Sequence, residues 1–155
     1  MLRAANATAH GDATIRTPAG WPRKTPDRHR GVFGPLPVAA GCTATASVGP
    51  NVAASSLTPK ALAAQAVPPG ETVRQGASAT SAWRVGAAAA GVESPMRVYA
   101  WRFRRVAPRR FAAIRVNVLF AQGCPADAIK SSALHDAIAR VARTAEFHVR
   151  FSPRR

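Results

Sequence analysis

Proline and glycine set the tightest constraint on this chain: ten of its 13 prolines and ten of its 11 glycines fall within residues 1–95. Proline removes a backbone donor and fixes φ, and glycine raises the entropy lost on ordering, so both interrupt regular elements. The steps Gly34-Pro35, Pro35-Leu36-Pro37 and Pro68-Pro69 break each candidate element in turn. No apolar period of 3.6 or 2 is sustained there. Residues 61–67 suit a turn or two of helix ended by Pro68, and the four alanines between Gly86 and Gly91 are too few for an isolated helix. The sequence therefore reads as a disordered Pro/Gly/Ala-rich region over residues 1–95, with a boundary near Met96.

Composition supports that division. Val, Ile, Leu and Phe number only 30 of 155 residues, 16 of them within residues 96–155, and the net charge is +15. A chain with so few large apolar groups and so much charge has difficulty offsetting its conformational entropy. The 35 alanines add little buried area each. Arg outnumbers Lys 19 to 3, and Ala, Arg, Pro and Gly make up half the chain. That bias fits a GC-rich genome, and equally a reading frame never selected as a protein.

From Val98 onward the pattern changes. Tyr99, Trp101 and Phe103 alternate with Val98, Ala100, Arg102 and Arg104, which predicts a strand. Residues 107–110, with Pro108, suit a turn. Ala112, Ile114, Val116, Val118 and Phe120 then alternate with Ala113, Arg115, Asn117 and Leu119. After Gly123-Cys124-Pro125, helical spacing joins Ile129, Ala133, Leu134, Ala137, Ile138 and Val141, with Pro125 at the first helical position. Phe147, Val149 and Phe151 give a third strand. The expected fold is thus a small α/β module of ββαβ order over residues 96–155, its last strand parallel to the second through a right-handed crossover.

One helix covers one face of such a sheet, and the other is left to Arg102, Arg104, Arg115, Asn117, His148 and Arg150. Arg109, Arg110, Arg154 and Arg155 extend the positive field beyond it. Guanidinium groups pair with phosphates and stack on bases. The leading expectation is a non-enzymatic basic accessory protein binding RNA or another polyanion through Arg102, Arg104, Arg109, Arg110, Arg115 and Arg150.

A second expectation comes from Cys124, placed where a strand hands over to a helix N-terminus, a setting that lowers a thiol pKa. Cys124-Pro125 followed by Lys130-Ser131-Ser132 resembles two families. In the cysteine phosphatases a Cys is followed, after five residues, by Arg; Lys130 holds the Arg place here and the loop glycines are missing. In the IIB component of fructose-type sugar phosphotransferase systems the active loop also begins Cys-Pro after a strand. That resemblance spans residues 116–151, with Asp127 and Lys130 where the family carries Gly and His. Either resemblance implies a Cys124-dependent phosphate-handling enzyme.

Little else carries chemistry. Cys42 and Cys124 stand 82 positions apart and suggest neither a zinc site nor a disulfide framework; His10, His29, His135 and His148 show no ligand spacing, so no metal or cofactor is expected. No stretch offers about 20 apolar residues for a membrane span. The Arg-bearing, acid-poor start at residues 1–5 has the composition of a mitochondrial presequence, but Gly11, Asp12 and Pro18 interrupt its helix. Ala39-Ala40-Gly41-Cys42 resembles a degraded lipoprotein cleavage box behind an overlong basic lead-in. Without a clear signal, the cytoplasm is the default compartment.

Overall fold

Small apolar and polar residues alternate from Cys42 to Val48, and the alternation makes a strand. Cys42, Ala44, Ala46 and Val48 are buried, while Thr43 and Ser47 face solvent. This lies well inside the region expected to be disordered. The computed structural model describes residues 7–24, 31–39, 41–91 and 95–153. In chain order these form β1 (Ala7–Thr14), β2 (Gly31–Ala39), β3 (Cys42–Ala54), α1 (Pro59–Ala66), β4 (Thr72–Ala77), β5 (Ser81–Ala88), β6 (Arg97–Ala107), β7 (Arg110–Phe120), α2 (Ser132–Thr144) and β8 (Glu146–Pro153). Short 3₁₀ turns occupy Pro69–Glu71 and Ala126–Lys130. Residues 1–5, Arg28, Arg30, Arg154 and Arg155 lie outside the described residues.

The architecture is mostly β-sheet. Six antiparallel strands run in the order β2-β3-β7-β6-β5-β4, and β1 pairs with β8 in a separate antiparallel ribbon. This overturns the expected combination of a disordered region and a ββαβ module. The chain from Arg97 does run strand, strand, helix, strand, but β8 pairs antiparallel with β1 and never joins β7. The sheet also crosses the expected boundary, because β2 to β5 flank β6 and β7.

Register assigns each residue to a face. On one face Ala46, Val118, Val98 and Ala87 form a cross-strand row, followed by Val48, Val116, Ala100 and Val85. Leu134, Ile138, Val141 and Ala142 of α2 pack over these rows into the main core. The opposite face holds Ser47, Asn117, Tyr99 and Gly86 in one row and Asn51, Ala113, Phe103 and Ala82 in another. There α1 supplies Ala63 to a smaller cluster with Ala82, Phe103 and Ala113. Gly86 permits this close approach: a Cβ there would stand 2.7 Å from Val67 Cγ1, just past the end of α1.

Local chemistry sets the helix ends. Thr58 caps α1 by accepting from Ala61 N at 3.1 Å, with Pro59 in its first turn. Ser131 caps α2 through Leu134 N at 3.3 Å, so that helix begins after the 3₁₀ turn rather than at Pro125.

The prolines are tolerated because of where they fall. Pro35 and Pro37 lie in β2, an edge strand whose register shifts around them. Pro50 pairs with Ile114 of β7 but lies beyond Gly31↔Val48, where the pairing of β2 with β3 ends. Among the described residues no strand pairs with β3 on that side there, so the missing N–H removes no ladder bond among them.

Candidate functional site

Pairing of β6 with β7 divides the arginines that the sequence placed on one open face. Arg102 and Arg104 share the α2 side with Val98 and Ala100, whereas Arg115 and Asn117 share the α1 side with Tyr99 and Trp101. Arg150 stands on β8 in the separate ribbon, opposite His10. A single basic face carrying all six residues does not form, because both faces of the sheet are used for packing.

Arg102 has a structural assignment. Its Nη1 donates to the carbonyls of Ala142 (3.4 Å), Arg143 (3.2 Å) and Ala145 (3.0 Å), its Nε donates to Ser81 Oγ (3.3 Å), and the guanidinium lies 4.9 Å from the Phe147 ring centroid. A cation is favoured there, since carbonyls at a helix C-terminus lack intrahelical donors and carry partial negative charge. Burial first, and the positive charge of Arg104 second, lower the pKa of Arg102 from its ordinary value.

The remaining arginines gather at one end of the β6–β7 hairpin. Arg104 pairs with Ala112, Arg105 with Phe111, and Ala107 with Arg110, leaving Pro108 and Arg109 as the turn. Arg104 and Arg105 point to opposite faces, and Arg109 stands at the tip. Among the described residues Arg104, Arg105 and Arg109 make no ion pair, whereas Arg16, Arg74 and Lys130 pair with Glu146, Asp136 and Asp127. Arg105 lies over the Phe111 ring at 5.0 Å. Arg109 has φ 59°, in the left-handed region, which costs a residue other than glycine about 1 kcal/mol. Its carbonyl accepts from Ser55 N at 3.1 Å, which fixes the turn against the end of β3.

Thus Arg104, Arg109 and Arg110 come together, and Arg102, Arg115 and Arg150 do not join them. Arg105 completes the group and was missed, because strict alternation placed it with the aromatic set. The adjacent pair Arg104-Arg105 just before a proline turn was the available signal: at a hairpin end both strand faces reach solvent.

Cys124 is not a free thiol. It is bonded to Cys42 with a Cα–Cα distance of 5.0 Å, contrary to the expectation of no disulfide. A disulfide sulfur is neither a thiolate nucleophile nor a phosphate acceptor, so in this state Cys124 lacks the chemistry of the two families it resembles. Cys42 within β3 likewise cannot end a lipoprotein cleavage segment while it serves as this bridge.

Among the described residues Tyr99 is the other group whose titration is clearly shifted. Its hydroxyl donates to Glu71 Oε2, tying the Pro69–Glu71 turn to β6, and Arg97 lies over its ring at 4.4 Å. Burial and the Glu71 carboxylate push its pKa up to about 12, against an opposing pull from Arg97. A raised folded-state value means that the neutral phenol stabilises the fold below its ordinary value near 10.0, and that this contribution disappears as pH rises through about 12. Tyr99 is the chain's single tyrosine, so phenolate absorbance reports it alone. The expected midpoint lies near 12 and moves down in Glu71→Gln; an unmoved midpoint would refute the role of the carboxylate.

Among the described residues no group of three His, Cys, Asp or Glu side chains is arranged to hold a metal ion, and no helix is long and apolar enough to cross a membrane. A cavity of about 600 Å³ opens between Pro18 and the Ala137, Arg140 and Val141 side of α2. No protein-family model matches the chain, and no curated protein does. Two solved structures are similar in shape. One is a point mutant of the protein Mog1, 10% identical, with 91% of this chain and 95% of that chain covered at a TM-score of 0.49. The other is LpqN, involved in cell envelope biogenesis of Mycobacterium tuberculosis, 10% identical, with 91% and 84% covered at a TM-score of 0.48.

Proposed function

We propose that the protein is a non-enzymatic binder of a polyanionic chain, with RNA the first class to test, and that contact is made by Arg104, Arg105, Arg109 and Arg110 at the β6–β7 hairpin end. The observation that carries this reading is the absence of any ion pair to Arg104, Arg105 and Arg109 among the described residues, at one end of a molecule of net charge +15. Phosphates supply the missing partner charge, and guanidinium groups bind them bidentately.

Three phosphate contacts to a single strand give a salt slope of about −2, or about a 20-fold loss of affinity between 50 and 200 mM salt. Neutralising Arg104, Arg105 and Arg109 to Gln together removes most of that slope, while Arg115→Gln and Arg150→Gln leave it in place. Fluorescence anisotropy with a labelled single-stranded RNA across a salt series measures both. Affinity indifferent to salt, or a slope lost equally in the Arg115 and Arg150 variants, rules this interface out.

The Cys42–Cys124 bond supports an oxidising compartment in place of the cytoplasmic default, since disulfides persist chiefly where thiols are not held reduced. Heparin titrated in parallel therefore tests whether a polysaccharide polyanion competes for the same arginines.

A further inference from the structure

The two edges of the six-stranded sheet are finished differently. The outer side of β2 is covered by the chain itself: Lys24 N donates to Val32 O at 2.7 Å, Gly34 N donates to Pro22 O at 2.8 Å, and Arg23 bridges to Phe33. The outer side of β4 receives no such cover. It ends the strand order, and no backbone hydrogen bond reaches residues 73–77 from beyond β5 among the described residues. Val73 in this strand is 43% exposed, one of two large apolar residues so placed among those described.

An uncovered edge is a row of unpaired donors and acceptors that templates another strand, unless charge or a bulge blunts it. Here the irregularity lies at the start, between Thr72 and Arg74, leaving residues 74–77 in regular register. Arg74 is drawn to Asp136 of α2, so its charge is turned back onto the molecule. Beside the edge a recess of about 210 Å³ runs between α1 and the β4–β5 pair, lined by Lys60, Gln75, Ala77, Trp83 and Arg84. Its charged members are both cations. The Glu71 carboxylate that precedes β4 is already occupied by Tyr99.

We infer that β4 is a docking edge for an extended acidic segment of a partner protein, which adds a seventh strand and places alternate acidic side chains toward Lys60 and Arg84. Main-chain hydrogen bonds supply affinity in this mode, and alternate side chains supply specificity. Charge selects the occupant. A second copy pairing edge to edge would bring its own Lys60 and Arg84 toward the same cationic recess, and like charges brought together there are destabilising.

The test uses the whole, oxidised protein and a short capped peptide of alternating glutamate and valine. A control peptide of the same charge has its valines replaced by proline and cannot form a ladder. The expected result is slowed amide hydrogen exchange in residues 73–77 with the first peptide, and binding weaker by about tenfold or more with the proline peptide. Equal binding of both peptides, or protection confined to the Arg104–Arg109 hairpin end, overturns the inference and leaves only charge attraction. Protection of β4 that grows with protein concentration in the absence of peptide also overturns it, making the occupant a second copy. The polyanion reading is tested independently, since it depends on Arg104, Arg105 and Arg109 and not on ladder formation.

Discussion

Reducing the Cys42–Cys124 bond is expected to lower the free energy of unfolding by about 4.5 kcal/mol. The bond joins the first residue of β3 to the loop that follows β7, and it closes 82 positions of chain that contain α1 and five whole strands, β3 to β7. In the chain-entropy account, the penalty for an open chain is the freedom that a loop of that length regains in the denatured ensemble. Native contacts should change little, because Cys42 is buried in the same core cluster as Ala44 and Phe120 and is paired to Ala39 of β2 in the ladder. Urea unfolding with and without a phosphine reductant, and of a Cys42→Ala/Cys124→Ala variant, measures the loss. A change below about 1 kcal/mol in both experiments contradicts the assigned role. The same samples settle the state of Cys124, since iodoacetamide should label the native protein only after reduction. Labelling without reduction would return the thiol to the list of reactive groups.

How much of this was legible in the sequence depends on which residues carry the apolar signal. In β6 and β7 the signal is borne by Tyr99, Trp101, Phe103, Ile114, Val116 and Val118, and their alternation is visible directly. In β3 the same alternation is borne by Ala44 and Ala46 against Thr43, Thr45 and Ser47, and alanine counts for little when each residue is credited only with its own transfer energy. Yet among the described residues twelve of the 31 buried apolar side chains are alanine. Small side chains let α1 and α2 approach the sheet closely, so dispersion contacts of strand and helix backbones stand in for the missing large groups. Proline misled for a related reason. It forbids a central strand only where both sides are paired; Pro35 and Pro37 lie on the edge strand β2 past the residues 32–34 that the chain covers, and among the described residues no strand flanks Pro50 on the β2 side.

The candidate site was half legible. The charge was visible, but face assignment assumed a single helix and therefore one open face. With α1 covering part of the second face, the hairpin end is where the exposed Arg104 and Arg105 stand on opposite sides of the β6–β7 pair. The Cys42–Cys124 contact was invisible to local spacing, because β3 and β7 are brought together only by the sheet's strand order.

Arg102→Met is expected to destabilise the protein by about 3 kcal/mol, whereas Arg104→Met two residues away changes stability by less than about 0.5 kcal/mol. The two residues share a strand, a face and a charge, so composition and periodicity treat them alike. They differ in what their guanidinium groups meet. Arg102 donates to three carbonyls at the end of α2 and to Ser81 while covering Phe147; Arg104 is exposed and makes no ion pair among the described residues. Methionine keeps much of the apolar stem but strips the donors, leaving helix-terminal carbonyls partly out of water without partners. Arg102→Lys should recover less than half of the loss, because a single ammonium cannot serve three divergent acceptors and lacks the planar face that stacks on an aromatic ring. Urea denaturation of the three variants decides it. Equal losses at Arg102 and Arg104 would mean that both act through surface charge, and the anchoring of α2 by Arg102 would have to be abandoned. A large loss at Arg102 alone would separate the arginine that anchors α2 from Arg104, which is exposed and makes no ion pair among the described residues.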